Sequence, residues 1–253
     1  MNDLFSLQGK RVLVTGGTRG VGRAISIQFA RAGASVLANY VRDKAAADAL
    51  VAEAEQEGIL IQTIRADITS PTGVEAVLAS VQSAFGQLSC FVHCAATGVH
   101  KPIEQFTLRH FDWTMGLNVR AFFELVRQLL PVFAPGSSIL GVSSEGATRA
   151  VPQYALVGAS KGALEAMLRH FAVELAPRGI RVNALSPGTV HTDVWKVLPD
   201  SERRLAEAAG KSPLGRLTSL DEVARAAQFL CSDAASGVIG HTLVVDGGTG
   251  VVA

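Results

Sequence analysis

A chain of 253 residues, 48% of them hydrophobic and 18% charged, can bury a proper core as one large α/β domain or two small ones. The formal net charge of +1 argues against nucleic acid or an anionic membrane as partner, and no apolar run reaches the roughly eighteen residues needed to span a bilayer. An odd cysteine count and an N-terminus without a signal-peptide pattern point to a cytoplasmic chain, with Cys90, Cys94 and Cys231 as buried free thiols and no metal site.

Strand-like and helix-like stretches then alternate. The first strand is expected at Lys10 to Thr15, followed by a glycine-rich turn and a helix to about Ala32. Strands at Ser35 to Asn39 and Leu60 to Arg65 are each followed by a helix, from about Asp43 to Glu57 and from Pro71 to Phe85. Leu88 to Cys94 reads as a fourth strand, Phe106 to Phe133 as one or two helices, and Ser138 to Val142 as a fifth strand. A long helix from Tyr154 to Leu175, a strand at Ile180 to Leu185, helices near 201–209 and 220–231 and a last strand at Thr242 to Asp246 complete the chain. Such alternation predicts a single domain, without linker or repeat, built on a doubly wound parallel sheet of about seven strands with helices on both faces.

The first turn carries the first functional signal. Gly16, Gly17, Gly20 and Gly22 fall between a strand and a helix, with Thr18, Arg19 and Val21 among them. Glycines there let the backbone turn tightly and approach a pyrophosphate, which the helix N-terminus then holds. The spacing is G-x-x-x-G-x-G rather than the common dinucleotide fingerprint, but its place in the alternation favours a Rossmann-type nucleotide site. The second strand ends Ala38-Asn-Tyr-Val-Arg42, without the acid that binds an NAD ribose hydroxyl. Arg42 and Arg19 suit a 2′-phosphate instead, so NADPH is the expected cofactor. Asp43 is a counter-signal and reads as a helix cap.

The stretch from Gly141 to Lys161 carries the second signal. Tyr154 and Lys161 are seven residues apart, about two helical turns, and so share a face. A phenol beside an ammonium has its anion favoured, and the pair can donate to an oxygen that becomes negative during reaction. Ser143 and Ser144, at the preceding strand end, offer a second hydroxyl. By itself the pair also fits a surface tyrosine and lysine on an ordinary helix. His93 invites a catalytic role, but its place inside a strand favours a structural one.

With these residues in view, the chain resembles the short-chain dehydrogenase/reductase family from about Lys10 to Gly248. The resemblance is carried by the glycine turn, Ala66-Asp-Ile68, Asn118 within Leu117-Asn-Val-Arg-Ala121, Ser144, Lys161, Ser186-Pro-Gly-Thr189 and Val245-Asp-Gly-Gly248. It implies that Asp67 and Ile68 hold the adenine, that Ala95 lets the cofactor approach, and that Pro187, Gly188, Val190 and Thr192 flank the nicotinamide. It also implies that Lys161 holds the nicotinamide ribose and Asn118 a water beside the lysine.

Two departures stand out. Val92-His-Cys-Ala-Ala96 replaces the usual Asn-Asn-Ala-Gly, so Cys94 loses an amide that ties strands together. Typical carbonyl reductases of the family have Tyr-x-x-x-Lys, which would put tyrosine at 157; here that residue is Val157 and the tyrosine comes one turn earlier. Tyr154-x6-Lys161 is similar to the bacterial enoyl-acyl-carrier-protein reductases, and Ser144, Asn118-Val-Arg-Ala121 and Ala95-Ala-Thr-Gly-Val99 resemble their type III, NADPH-preferring branch. The shift has a physical sense. In enoyl thioester reduction hydride goes to C3 while charge develops on the thioester oxygen, two carbons farther away, and three helix positions move the phenol's root by roughly 4.5 Å.

The resemblance therefore implies an NADPH-dependent reductase of trans-2-enoyl thioesters, carried on acyl carrier protein or coenzyme A, with Tyr154, Lys161, Ser144 and Asn118 as its catalytic set. The segment 191–216, with Val194, Trp195, Val197 and Leu198, is the expected lid over the acyl chain. A homotetramer or homodimer is expected through faces bearing Phe122, Phe123, Leu125 and Val126, and Leu164, Met167, Leu168 and Phe171, with 248–253 as a second contact. The alternatives are a 3-oxoacyl thioester or carbonyl reductase of the same family, and a non-catalytic NADPH-binding sensor.

Overall fold

Seven strands pair into one parallel sheet in the computed structural model, which describes residues 3–192 and 200–252. They are β1 (Arg11–Thr15), β2 (Ser35–Tyr40), β3 (Ile61–Arg65), β4 (Leu88–His93), β5 (Phe133–Val142), β6 (Arg181–Pro187) and β7 (Thr242–Val245), in the order β3-β2-β1-β4-β5-β6-β7. The order reverses between β1 and β4, where Val12 stands opposite Cys90 and Thr15 opposite His93. A crevice therefore opens beyond their carboxyl ends, the place where such sheets bind ligands.

Apolar side chains alternate through each inner strand and are buried on both faces, as a sheet covered on both sides requires. Val12, Val14, Val92 and Leu140 join Ile25 and Phe29 of α1 (Gly20–Arg31) and Val223, Ala227 and Leu230 of α8 (Leu220–Cys231) in one layer. Leu13, Phe91, Ile139 and Val182 join Val77 and Val81 of α3 (Pro71–Phe85), Phe122 and Leu125 of α5 (Ala121–Leu129) and Leu164 and Leu168 of α6 (Ala155–Leu175) in the other. Phe91 and Phe122, fully buried, stack with their ring centroids 6.2 Å apart. Truncating either to alanine would cost about 3–5 kcal/mol.

Local chemistry sets the helix ends. Asp43 caps α2 (Lys44–Glu57) by accepting from the Ala46 amide at 3.0 Å, as the sequence suggests. Ser70 caps α3 with Pro71 at its first position, and Ser219 and Glu222 form a capping box at α8. Thr107 caps α4 (Leu108–Met115), and α7 runs Ser201–Lys211. Between α4 and α5 lies one wide π-helical turn, Gly116–Arg120, which offsets the two helices.

Two expectations are corrected. The strand expected at Ser138 begins at Phe133, because β5 pairs with β4 from Leu88 across a register shift. Phe122, Leu125, Val126, Leu164 and Leu168, expected at an interface between copies, are at most 2% exposed within the single chain and fill its own core. A helix packed on a sheet shows its apolar stripe to the sheet first. Phe123 remains exposed on that side, and Met167 and Phe171 are only partly buried.

Candidate active site

The glycine turn is closed by contacts that no side chain would permit. Gly16 has φ +63°, and a Cβ there would lie 2.9 Å from the Ala95 Cα. A Cβ on Gly22 would lie 2.1 Å from the Gly16 carbonyl oxygen. The turn is thus pressed against the ends of β1 and β4, and Arg19 precedes α1 without a side-chain cap. The first amides of α1 are left for a partner from outside. Thr18 is buried, Val21 packs against the core, and Thr192 comes beside Gly20.

Around this turn stand the other residues named for the cofactor. Arg19 is exposed and ion-pairs with Asp43 at 3.3 Å, while Arg42 is exposed and without an ion pair among the described residues. Asp67 accepts from the Thr69 amide and hydroxyl at 3.0 and 2.7 Å, which shapes the turn after β3. Ile68 is 1% exposed, with its side chain in the core, which leaves its backbone as the part that a ligand could meet. Pro187 ends β6, Gly188 packs so closely on Asp246 that a Cβ would meet it at 2.7 Å, and Val190 packs against the core.

Asn39, Thr15 and Thr97 tie the crevice together through hydrogen bonds between segments far apart in the chain. Asn39 donates to the Ala66 carbonyl at 2.9 Å, joining the ends of β2 and β3. Thr15 Oγ1 lies 3.0 Å from His93 Nδ1 and accepts from the Ala95 amide at 3.3 Å. Burial and the charge of Lys161 lower the His93 pKa to about 3, so the ring is neutral and structural.

At the far side, Tyr154 Oη lies 3.3 Å from Ser144 Oγ. Tyr154 is the residue before α6 rather than its first turn, and its ring lies on Gly146, where a Cβ would meet it at 2.6 Å. Lys161 donates to the Val142 carbonyl at 2.7 Å. Burial raises the Tyr154 pKa above its ordinary value, opposed by the Ser144 hydrogen bond and assisted by the Glu145 charge, the opposite direction from that expected of a neighbouring ammonium. Burial lowers the Lys161 pKa to about 8, against the charges of Cys94 and Glu165.

Ser143 does not join Ser144. It donates to Glu165 at 2.5 Å, a buried carboxylate one turn beyond Lys161 that the i, i+4 spacing on α6 would have revealed. Asn118, in the π-helical turn, accepts from the Thr97 amide at 2.8 Å and donates to the Thr97 carbonyl and Ser160 Oγ at 2.9 Å. Its side chain is occupied in fixing the Ala95–Val99 loop to α6. Val157, 6% exposed, packs on that loop so closely that a Cβ on Gly98 would meet it at 2.1 Å. Of the expected lid, Val194, Trp195, Val197 and Leu198 lie outside the described residues.

A dinucleotide fits these residues. The cramped glycine turn lets backbone reach a pyrophosphate, and among the described residues only one of the three Lys161 donors is engaged, which leaves two for ribose hydroxyls.

The family described as "Enoyl-(Acyl carrier protein) reductase" has a model that matches residues 16–250. The 1-cyclohexenylcarbonyl-CoA reductase of Streptomyces collinus is 35% identical over 243 residues, which cover 95% of this chain and 87% of that protein. Versicolorin reductase stcU of Emericella nidulans is 33% identical over 258 residues, 98% of either chain. A crystal structure of a dehydrogenase/reductase from Sinorhizobium meliloti 1021 superposes with a TM-score of 0.91 at 33% identity, covering 97% of both chains. No described helix is long and apolar enough to cross a membrane.

Proposed function

This chain belongs to the short-chain dehydrogenase/reductase family, and we propose that within it the protein is an NADPH-dependent reductase of 2-enoyl thioesters. The observation that carries the reading is the position of the phenol. Tyr154 Oη pairs with Ser144 Oγ at 3.3 Å, whereas Val157, where carbonyl reductases of the family keep their tyrosine, is walled in by Gly98. The relative from Streptomyces collinus supports it, because its name denotes a thioester of coenzyme A with a ring double bond next to the carbonyl.

Gly16, Gly20 and Gly22 with the α1 amides would hold the pyrophosphate, Arg19 and Arg42 the 2′-phosphate, and Lys161 the nicotinamide ribose. Bound there, the cofactor would supply a hydride for C3 of the enoyl chain, with a proton from solvent at C2 completing the reduction. Tyr154 donates to the thioester oxygen as negative charge grows there. Ser144 orients that hydroxyl. Asn118 is a positioning residue, holding the 95–99 loop to Ser160. The partner is an acyl thioester on acyl carrier protein or coenzyme A, and the assembly a homotetramer or dimer through the face that leaves Phe123 exposed.

A second reading is reduction of a 3-oxoacyl thioester or another carbonyl, since the relative from Emericella nidulans is named a reductase of versicolorin and not of a thioester. NADPH oxidation with crotonyl-CoA and with acetoacetyl-CoA separates the two. Enoyl reduction should dominate, and Tyr154→Phe should lower it by about 10²–10⁴ while NADPH binding persists. Full enoyl activity in Tyr154→Phe would sink the mechanism.

A further inference from the structure

The turn that seats the phenol is held from the other end of the chain. After β5 the backbone makes one short helical turn, Glu145–Ala147, in which the Ser144 carbonyl accepts from the Ala147 amide at 2.9 Å. The Glu145 carbonyl accepts from the Thr148 and Arg149 amides at 3.1 and 3.0 Å. Ser144 Oγ accepts from the Gly146 amide at 3.2 Å and is the same hydroxyl that meets Tyr154 Oη. The placement of this turn therefore sets both the partner of the phenol and the surface under its ring. Residues 148–150 are exposed, so apolar burial does little to hold the turn from that side. Arg149 does so instead: its Nη1 donates to the Thr249 carbonyl at 3.4 Å and its Nη2 to the Gly250 carbonyl.

The receiving end is itself firmly built. Beyond β7, Asp246 accepts from the Gly248 and Gly250 amides at 2.8 and 2.6 Å, and its carbonyl accepts from the Thr249 hydroxyl at 2.9 Å. A carboxylate between two amides makes charge-assisted bonds and closes 246–250 into a tight turn. Two other parts of the site rest on that turn. The Gly188 amide donates to the Val245 carbonyl at 3.0 Å while Gly188 packs against Asp246, and Ser212, just beyond α7, donates to the Gly247 carbonyl at 3.1 Å. None of these contacts involves Arg149. The C-terminal turn is thus a post fixed to the segment assigned to the nicotinamide, and Arg149 ties the phenol's turn to it.

We propose that Arg149 is a positioning residue: by joining the 144–149 turn to the C-terminal turn at 246–250, it holds Ser144 and Tyr154 at a set place relative to Gly188 and the nicotinamide. The proposal rests on the reading of Tyr154 as donor to the substrate oxygen. The planar guanidinium suits the task, since its fork of donors engages two successive carbonyls at once. Position matters here because a shift of about 1 Å in a reacting group can cost about a hundredfold in rate.

Two substitutions break the link from its two ends. Arg149→Ala removes an exposed side chain, and Asp246→Ala frees the turn that presents the carbonyls while keeping the Cβ that packs on Gly188. With full-length protein, NADPH and crotonyl-CoA, Arg149→Ala should lower kcat by about tenfold. The KM for NADPH should stay unchanged, because the bonds of Arg149 reach none of the residues assigned to the cofactor. Asp246→Ala should also lower kcat, and the double variant should lose no more than the worse single one, since both break the same link. Native kcat in Arg149→Ala, with Tyr154→Phe impaired, would overturn the proposal and leave the enoyl reading standing. Losses that multiply in the double variant would also overturn it, as would an NADPH KM in Arg149→Ala that rises as much as kcat falls, the mark of general loosening. If the native enzyme reduces acetoacetyl-CoA and not crotonyl-CoA, the enoyl reading fails and the same variants decide the link on that thioester. Turnover of neither would remove both.

Discussion

His93 offers a quantitative test of how the floor of the cofactor crevice is held. Its ring is 0% exposed, and burial with the nearby Lys161 charge lowers its pKa from 6.5 to about 3. The folded state therefore binds fewer protons than the unfolded state between those values, and stability must fall as pH drops through that window. Above pH 6.5 both states are neutral and nothing is lost. At pH 5 the unfolded histidine is protonated and the folded one is not, so the imbalance costs about 2 kcal/mol, from about 1.36 kcal/mol per pH unit between pH 6.5 and 5. That figure holds as long as the folded value stays well below 5. His93→Asn removes the titration and keeps a polar group facing Thr15. Urea unfolding of both proteins at pH 7.5 and pH 5 should show the stability gap between them shift by about 2 kcal/mol in favour of the variant at the lower pH. All other titrating groups are common to the two and cancel in the comparison. Parallel stability curves would refute a buried, neutral His93.

The remaining predictions concern the cofactor and the moved phenol. Replacing Arg19 and Arg42 with alanine should raise the KM for NADPH roughly tenfold to a hundredfold more than that for NADH, through lost charge-assisted hydrogen bonds; equal loss with both cofactors would reject the 2′-phosphate assignment. Tyr154→Phe combined with Val157→Tyr should not recover enoyl reduction, because residue 157 is pressed against Gly98 and its phenol must push that loop aside. Thermal unfolding of that double variant should occur below that of Tyr154→Phe alone, and recovered crotonyl-CoA reduction would refute the spacing argument.

The alternation of apolar strands and amphipathic helices was enough to specify the architecture, because a parallel sheet covered on both faces leaves few other ways to bury such a pattern. The glycine turn was legible for a related reason: strand, close-packed turn and helix are contiguous in the chain, so their geometry is local. Spacing likewise displayed the shift of tyrosine from 157 to 154. What spacing alone did not reveal was the neighbourhood of each side chain. Tyr154 and Lys161 share a sequence interval, yet the strain at Gln153 leaves the phenol outside the helix while the ammonium bonds the Val142 carbonyl. Burial, more than the lysine, then sets the direction in which the phenol's pKa moves. Phe122 and Leu164 read equally well as interface or core, since both lie on apolar stripes and only packing tells which surface covers them. Ser160 meets Asn118 from a helix far along the chain, and no local pattern marks a residue whose partner is supplied by the tertiary fold.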